Sequence, residues 1–306
     1  MDVKQKHTMI KRIQTITLVT ILIVIGIGVF YACKKEETVS LLTSSLTKEL
    51  TSLNNEIYSQ IETQQKGKFG DFIACAGADA IGTWEGMKIG GAVGGMFGPG
   101  GAATGSVIGG VVCGGGASYA TGKGLGCWKS IEDPYPNGYV STLSSSYADF
   151  NTFGALHNGY LDLLFKSKNN YIEPQYIYNQ VFIDIESIGV TTFEQIYKEL
   201  GPNSKHSIEI LSLINNYISN DLDYNILISH CKEKFGMSKE AEEIWYSFFK
   251  IYFSTTRISD AYFVIENYID FIQKSGSDYL KNDEINSFNC AFSVALHSTN
   301  YWSILN

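Results

Sequence analysis

Residues 77–126, GADAIGTWEGMKIGGAVGGMFGPGGAATGSVIGGVVCGGGASYATGKGLG, repeat glycine at a helical interval. Gly82, Gly86, Gly90, Gly94 and Gly98 stand four residues apart, and Ala78 continues the register toward the N-terminus. Beyond Pro99 the interval resumes at Gly101, Gly105 and Gly109, with a second track at Gly110 and Gly114. Residues four apart share one helix face, so each helix presents a strip of nearly bare backbone. Such a strip admits a second helix at short range, the packing that small-residue repeats give membrane helices. In water the composition is unfavourable, because each helical glycine costs about 1 kcal/mol relative to alanine. Close packing or a lipid surrounding must offset that cost. The spacing predicts two helices, over 71–97 and 102–120, joined by the turn Gly98-Pro99-Gly100-Gly101, since adjacent proline and glycine favour turns. The second helix is uncharged and nearly long enough to cross a bilayer. The first carries Asp79, Glu85 and Lys88, with Glu85 and Lys88 spaced to pair at i, i+3.

Outward from this block the apolar residues keep helical spacing, and strand-like alternation is not sustained anywhere. Leu42, Leu46, Leu50, Leu53, Ile57 and Ile61 form one helix face, which predicts a stalk helix that docks on the body or on a second copy. SIEDPYPNG at 130–138 concentrates proline and Asn-Gly and marks a boundary. Farther on, Ser238 stands where an N-cap belongs, ahead of Ala241, Ile244, Trp245, Phe248, Phe249 and Tyr252. Ser259 is a similar cap for Ala261, Val264, Ile265, Tyr268 and Ile272. Ile208, Leu211, Ile214 and Ile218 predict an earlier helix, and Phe288, Phe292 and Leu296 a last one. The many aromatic residues read as core filling. The fold class is therefore all-α. Its parts are an N-terminal signal or anchor over 1–32, a lipidated N-terminus and stalk over 33–66, and a glycine-rich helical hairpin over 67–127. A linker over 128–138 and a multi-helix domain over 139–306 complete it.

The N-terminus reads as an address. Lys4, Lys6, Lys11 and Arg12 precede the apolar run ITLVTILIVIGIGVFYA at 16–32, which ends on Ala32 and meets Cys33. A basic start, an apolar core and a small residue describe a secretory signal. With cysteine next, the segment resembles a bacterial lipoprotein signal, which implies cleavage before Cys33 and acylation of its thiol. Phe30 and Tyr31 depart from the usual residues before the cut, and this looser box is similar to that of Bacteroidota lipoproteins. Lys35, Glu36 and Glu37 resemble the signal those proteins use for display on the outer-membrane surface. The alternative is an uncleaved inner-membrane anchor, because the uncharged gap just reaches the length of a bilayer span. Either reading places the remaining chain outside the cytoplasm, with the bilayer as partner, through the Cys33 acyl chains in the first case.

The chain has a formal charge of −8. Loss of residues 1–32 removes four basic residues and one acidic residue, which takes it to −11. That acidity argues against nucleic acid as a partner. Five cysteines remain after Cys33. If the glycine block folds back at its middle, Cys75 and Cys127 lie at similar distances from the bend, and a bridge between them is geometrically reasonable. No cysteine or histidine set has zinc spacing, and no metal or other cofactor is expected.

No catalytic motif survives inspection. Gly122-Lys123-Gly124 imitates a phosphate loop but lacks its first glycine and its Ser/Thr. Asp221, Asp223 and Asn225 imitate the start of a calcium loop, with Ile226 and Lys232 in place of the required glycine and glutamate. His157-Asn158 reads as a core or capping pair, and His297-Ser298-Thr299 has no acid nearby in sequence. The phrases ALHN at 155–158 and ALHSTNYW at 295–302 are similar to stretches of Bacteroidota proteins and imply no activity. The glycine block resembles the glycine-zipper segments of small outer-membrane lipoproteins, and also those of class II bacteriocins that insert into membranes. The first resemblance implies a non-enzymatic envelope protein whose hairpin packs or oligomerises with membrane or partner helices through Gly82, Gly86, Gly90, Gly94, Gly98, Gly101, Gly105 and Gly109; the plain structural alternative is a hairpin clamped against the C-terminal domain. The second implies a membrane-active effector. An enzyme with a dispersed site in 139–306 is the third alternative.

Overall fold

The computed structural model describes residues 45–61, 68–126, 148–167, 173–182, 190–201 and 203–304. Among them the protein is all-helical, without strands. Residues 45–58 form α1. Next come α2 (Lys68–Gly95), α3 (Gly98–Leu125), α4 (Ala148–Lys166), α5 (Pro174–Val181) and α6 (Val190–Leu200). The series ends with α7 (Lys205–Ser219), α8 (Tyr224–Phe235), α9 (Lys239–Tyr252), α10 (Ile258–Tyr279) and α11 (Asn282–Ile304). Two compact units divide the chain, Met1–Glu49 and Leu50–Asn306. Helices α2 to α11 all belong to the second.

Helices α2 and α3 form the axis of that unit, connected by Met96 and Phe97. The turn therefore falls earlier than Gly98–Gly101. Pro99 sits at the first positions of α3, where the missing N–H costs nothing and its φ suits a helix. Gly98 supplies the turn's left-handed residue, at φ +89°. Residues 73–87 of α2 and 108–115 of α3 are buried on every side, because α11 lies against α2 while α4 and α7 lie against α3. No described helix is long and apolar enough to cross a membrane. Helix α3 has the length, but glycine, serine and threonine dilute its hydropathy.

The second packing centre joins α9, α10 and α11. Trp245 lies 4.9 Å from Phe288 and 5.1 Å from Phe249 between ring centroids, and Phe248 lies 4.7 Å from Phe292. Ser238 caps α9 as its sequence predicts, accepting from the Ala241 N–H at 3.1 Å. Helix α10 departs from expectation. Its cap is Arg257, which makes no side-chain cap bond and instead pairs with Asp260 in the first turn. The stripe of α7 is also turned: Ile208 is 59 % exposed, and the buried face is Ile210, Leu213, Ile214 and Tyr217. Within α1, Leu50 and Ile57 are buried. Asn54 ties α1 to α9 and α10 by donating to Ser247 Oγ at 2.8 Å and accepting from the Tyr268 hydroxyl at 2.8 Å.

Candidate functional site

The glycine faces of α2 and α3 meet each other. A β-carbon on Gly86, Gly90 or Gly94 would land on the carbonyl oxygen of Gly109, Gly105 or Gly101, and the reverse substitutions would do the same. Added to Gly90 it would also lie 2.9 Å from the Gly109 α-carbon, and added to Gly94, 2.9 Å from that of Gly105. Only hydrogen fits. Each glycine thus points a Cα–H at a carbonyl across the interface, the geometry of a weak recurring hydrogen bond. Gly82 packs on Ala117 and the Cys113 carbonyl. Gly98 does not join the interface, because it is spent on the turn and has open space where a side chain would stand.

Helix α3 uses three of its other glycines as seats for rings. Gly110 faces Phe153, Gly115 faces Tyr160 and Gly122 faces the indole of Trp302. The phosphate-loop imitation is thereby explained by packing, since its Gly122 makes room for an indole. The calcium-loop imitation dissolves too. Asp221 takes a left-handed turn conformation (φ 55°), and Asp223 caps α8, accepting from the Asn225 N–H at 3.0 Å. Among the described residues no group of His, Cys, Asp and Glu is placed to hold a metal ion.

A buried polar cluster lies beside the glycine contacts of the pair. Asp79 on α2 is wholly buried, and its Oδ2 accepts from the Ser118 hydroxyl of α3 at 2.7 Å and from the Ser298 hydroxyl of α11. His157 Nε2 of α4 stands 3.5 Å from the same oxygen. Trp302 Nε1 donates to Ser118 Oγ at 3.1 Å, and Asn158 donates to the His297 carbonyl at 3.3 Å. Four helices are joined by these contacts. Burial, and secondarily the neighbouring His157, push His297 down to about 4, so its imidazole is neutral near pH 7.

Serine, histidine and aspartate together invite a nucleophilic reading, which the bonding order opposes. A serine nucleophile hands its proton to a histidine oriented by the acid. Here both serines donate to the carboxylate itself, and Ser118, Ser298, His157 and Asp79 are all 0 % exposed. The acid that His297-Ser298-Thr299 lacked in sequence is Asp79, 219 positions away from Ser298. No local pattern announces such a distant pairing.

Farther along α2 the expected Glu85–Lys88 pair is replaced by two others. Glu85 turns inward to His230 Nε2 of α8 at 3.3 Å, and Lys88 turns to Asp283 of α11. A buried carboxylate needs a partner more than an i, i+3 neighbour at the surface does.

Beside the pair, α3, α4 and α7 enclose a pocket of about 240 Å³. Val112, Cys113, Gly116, Tyr160 and Leu164 line it together with the polar Asn203 and Ser207. Burial raises both the Cys113 thiol and the Tyr160 phenol, so both stay neutral. Nothing in the sequence announces this pocket, because its three walls are far apart in the chain. Cys75 is buried against Leu161, Phe165, Tyr301 and Trp302. Cys127, the partner expected for it, lies outside the described residues, as do Cys33, Lys35, Glu36, Glu37 and the 128–138 linker. No family model, curated protein or solved structure matches the chain.

Proposed function

We propose that the protein is a non-enzymatic, lipid-anchored component of the bacterial envelope, tethered through Cys33 and built around its glycine-zipper hairpin as an internal packing spine. The anchor rests on the sequence: the basic start, the apolar run ending at Ala32-Cys33, and Lys35-Glu36-Glu37 as the surface-display signal. One structural observation carries the spine: the reciprocal seating of Gly86, Gly90 and Gly94 on Gly109, Gly105 and Gly101. Those faces are occupied within one chain, which favours internal packing over self-association through the same glycines. The sealed Ser/His/Asp cluster supports a tie between helices more than a catalytic centre.

A second reading has its own observation. The tip of the hairpin exposes Met96 (72 %) and Phe97 (43 %) in a stretch without charge from Ile89 to Gly122. That favours a membrane-active effector whose tip enters a bilayer. Dye release from anionic vesicles separates the two. The spine reading expects intact vesicles, and unfolding free energies lowered by more than about 3 kcal/mol in Gly90→Leu and Gly94→Leu. Release by the wild-type protein that disappears in both variants, while both remain folded, would replace the first reading with the second.

A further inference from the structure

Gly116 is a glycine that protein packing does not account for. From Gly101 to Gly124, every other glycine of α3 would drive a β-carbon into a neighbour, yet at Gly116 nothing lies within 4 Å. Alanine would fit there and would favour the helix. What lies over Gly116 is the pocket of about 240 Å³, bounded by Val112 and Cys113 on α3, Tyr160 and Leu164 on α4, and Ile210 on α7. The missing side chain enlarges the floor of that pocket.

The lining dictates what enters. None of the described residues lining the pocket carries a charge, and a buried ion without a partner is strongly unfavourable. The interior is aliphatic and aromatic. Its polar groups are Asn203, which is exposed, Ser207, which is half-buried, and the phenols of Tyr119 and Tyr160, the second engaged with the Tyr197 hydroxyl. The Ser207 hydroxyl donates to the Leu200 carbonyl at 2.8 Å, which leaves its oxygen free to accept. An apolar cavity of about 150 Å³ takes up a benzene ring, so this volume suits a neutral molecule of about ten non-hydrogen atoms.

We infer that the pocket between α3, α4 and α7 is a binding site for a small, uncharged, mainly apolar molecule with one hydrogen-bonding end, such as a medium-chain alkyl alcohol. Its apolar part lies over Gly116 between Tyr160 and Ile210, and its polar end faces Asn203 and Ser207. The site is independent of the lipid anchor and of the spine.

Octanol is a suitable probe, with octanoate as its charged counterpart. The full chain is titrated with each, and the methyl resonances of Val112, Leu164 and Ile210 are followed by NMR. Octanol is expected to shift them saturably, and octanoate to bind roughly tenfold more weakly or worse. Gly116→Leu fills the floor from a position whose β-carbon meets no protein atom, and is expected to abolish the octanol shifts while the thermal midpoint is kept. Asn203→Trp, at an exposed position, closes the mouth from outside and is expected to do the same; it decides the matter should Gly116→Leu fail to fold. Absence of saturable octanol shifts, octanoate binding as tight as octanol, or octanol binding undiminished in a folded blocking variant would each overturn the site.

Discussion

Helices α2 and α3 meet through backbone, whereas α9, α10 and α11 meet through rings. In the first region the side chain has been deleted so that carbonyl and α-carbon can approach. In the second, Trp245, Phe248, Phe249, Phe288 and Phe292 fill the space between helices. Ring packing gains from buried apolar area. Backbone packing buries little side-chain area and gains from many short contacts, with no side-chain entropy to lose. The two interfaces are therefore vulnerable in opposite directions: one fails when atoms are removed, the other when atoms are added.

Truncation in the ring-packed region has the larger expected effect. Trp245→Ala should cost about 3–5 kcal/mol, measured by denaturant unfolding monitored by circular dichroism. The mirror experiment is Gly90→Ala, which adds one methyl. On exposed helix the change would stabilise by about 1 kcal/mol. Here the new carbon meets the Gly105 carbonyl, so a loss of about 1–3 kcal/mol is expected. A gain at Gly90 would erase the contrast between the regions.

Helix α11 is the seam. One part of it offers Phe288 and Phe292 to the rings, and another offers His297 and Ser298 to the α2–α4 side. His297 is held down to about 4 by burial and then by His157. A histidine depressed below its unfolded value of about 6.5 binds protons more readily in the unfolded chain. Its contribution is complete above that value and is lost as pH falls through 4. Between pH 7 and 4 the wild type should therefore lose about 2–3 kcal/mol through this group. His297→Gln should remove that part of the slope, so the two unfolding curves converge on acidification. Parallel curves would mean that the seam does not respond to protons through His297.

The two regions also differ in how far a sequence reveals them. Both the ring-packed helices and the glycine faces are local patterns: Ser238 with the apolar spacing from Ala241 to Tyr252, and the four-residue interval from Gly82 onward. The interval does not reveal what each face touches. Gly110 stands on the second glycine track, yet it seats Phe153, just as Gly115 and Gly122 seat Tyr160 and Trp302. Ile208 and Ile210 are apolar alike, and only the tertiary surroundings decide that Ile210 is the buried one. The Asp79 cluster and the Gly116 pocket are illegible for the same reason. Each is assembled from helices remote in sequence, and no residue in either carries a local signature.

The smallest expected effect concerns how a helix begins in each region. Helix α9 starts with a side-chain cap, Ser238 to the Ala241 N–H at 3.1 Å. Helix α3 starts with Phe97, whose side chain makes no cap bond, followed by a left-handed glycine and Pro99. The first start depends on one hydroxyl, and the second on backbone restriction. Ser238→Ala should therefore cost about 1 kcal/mol. Phe97→Ala removes a half-exposed ring and no cap, so its cost should stay within about 0.5 kcal/mol. Thermal unfolding of the two variants side by side tests the point. A larger loss at Phe97 than at Ser238 would mean that the tip ring stabilises the glycine-rich pair, which would give that pair a side-chain clasp in addition to its bare backbone.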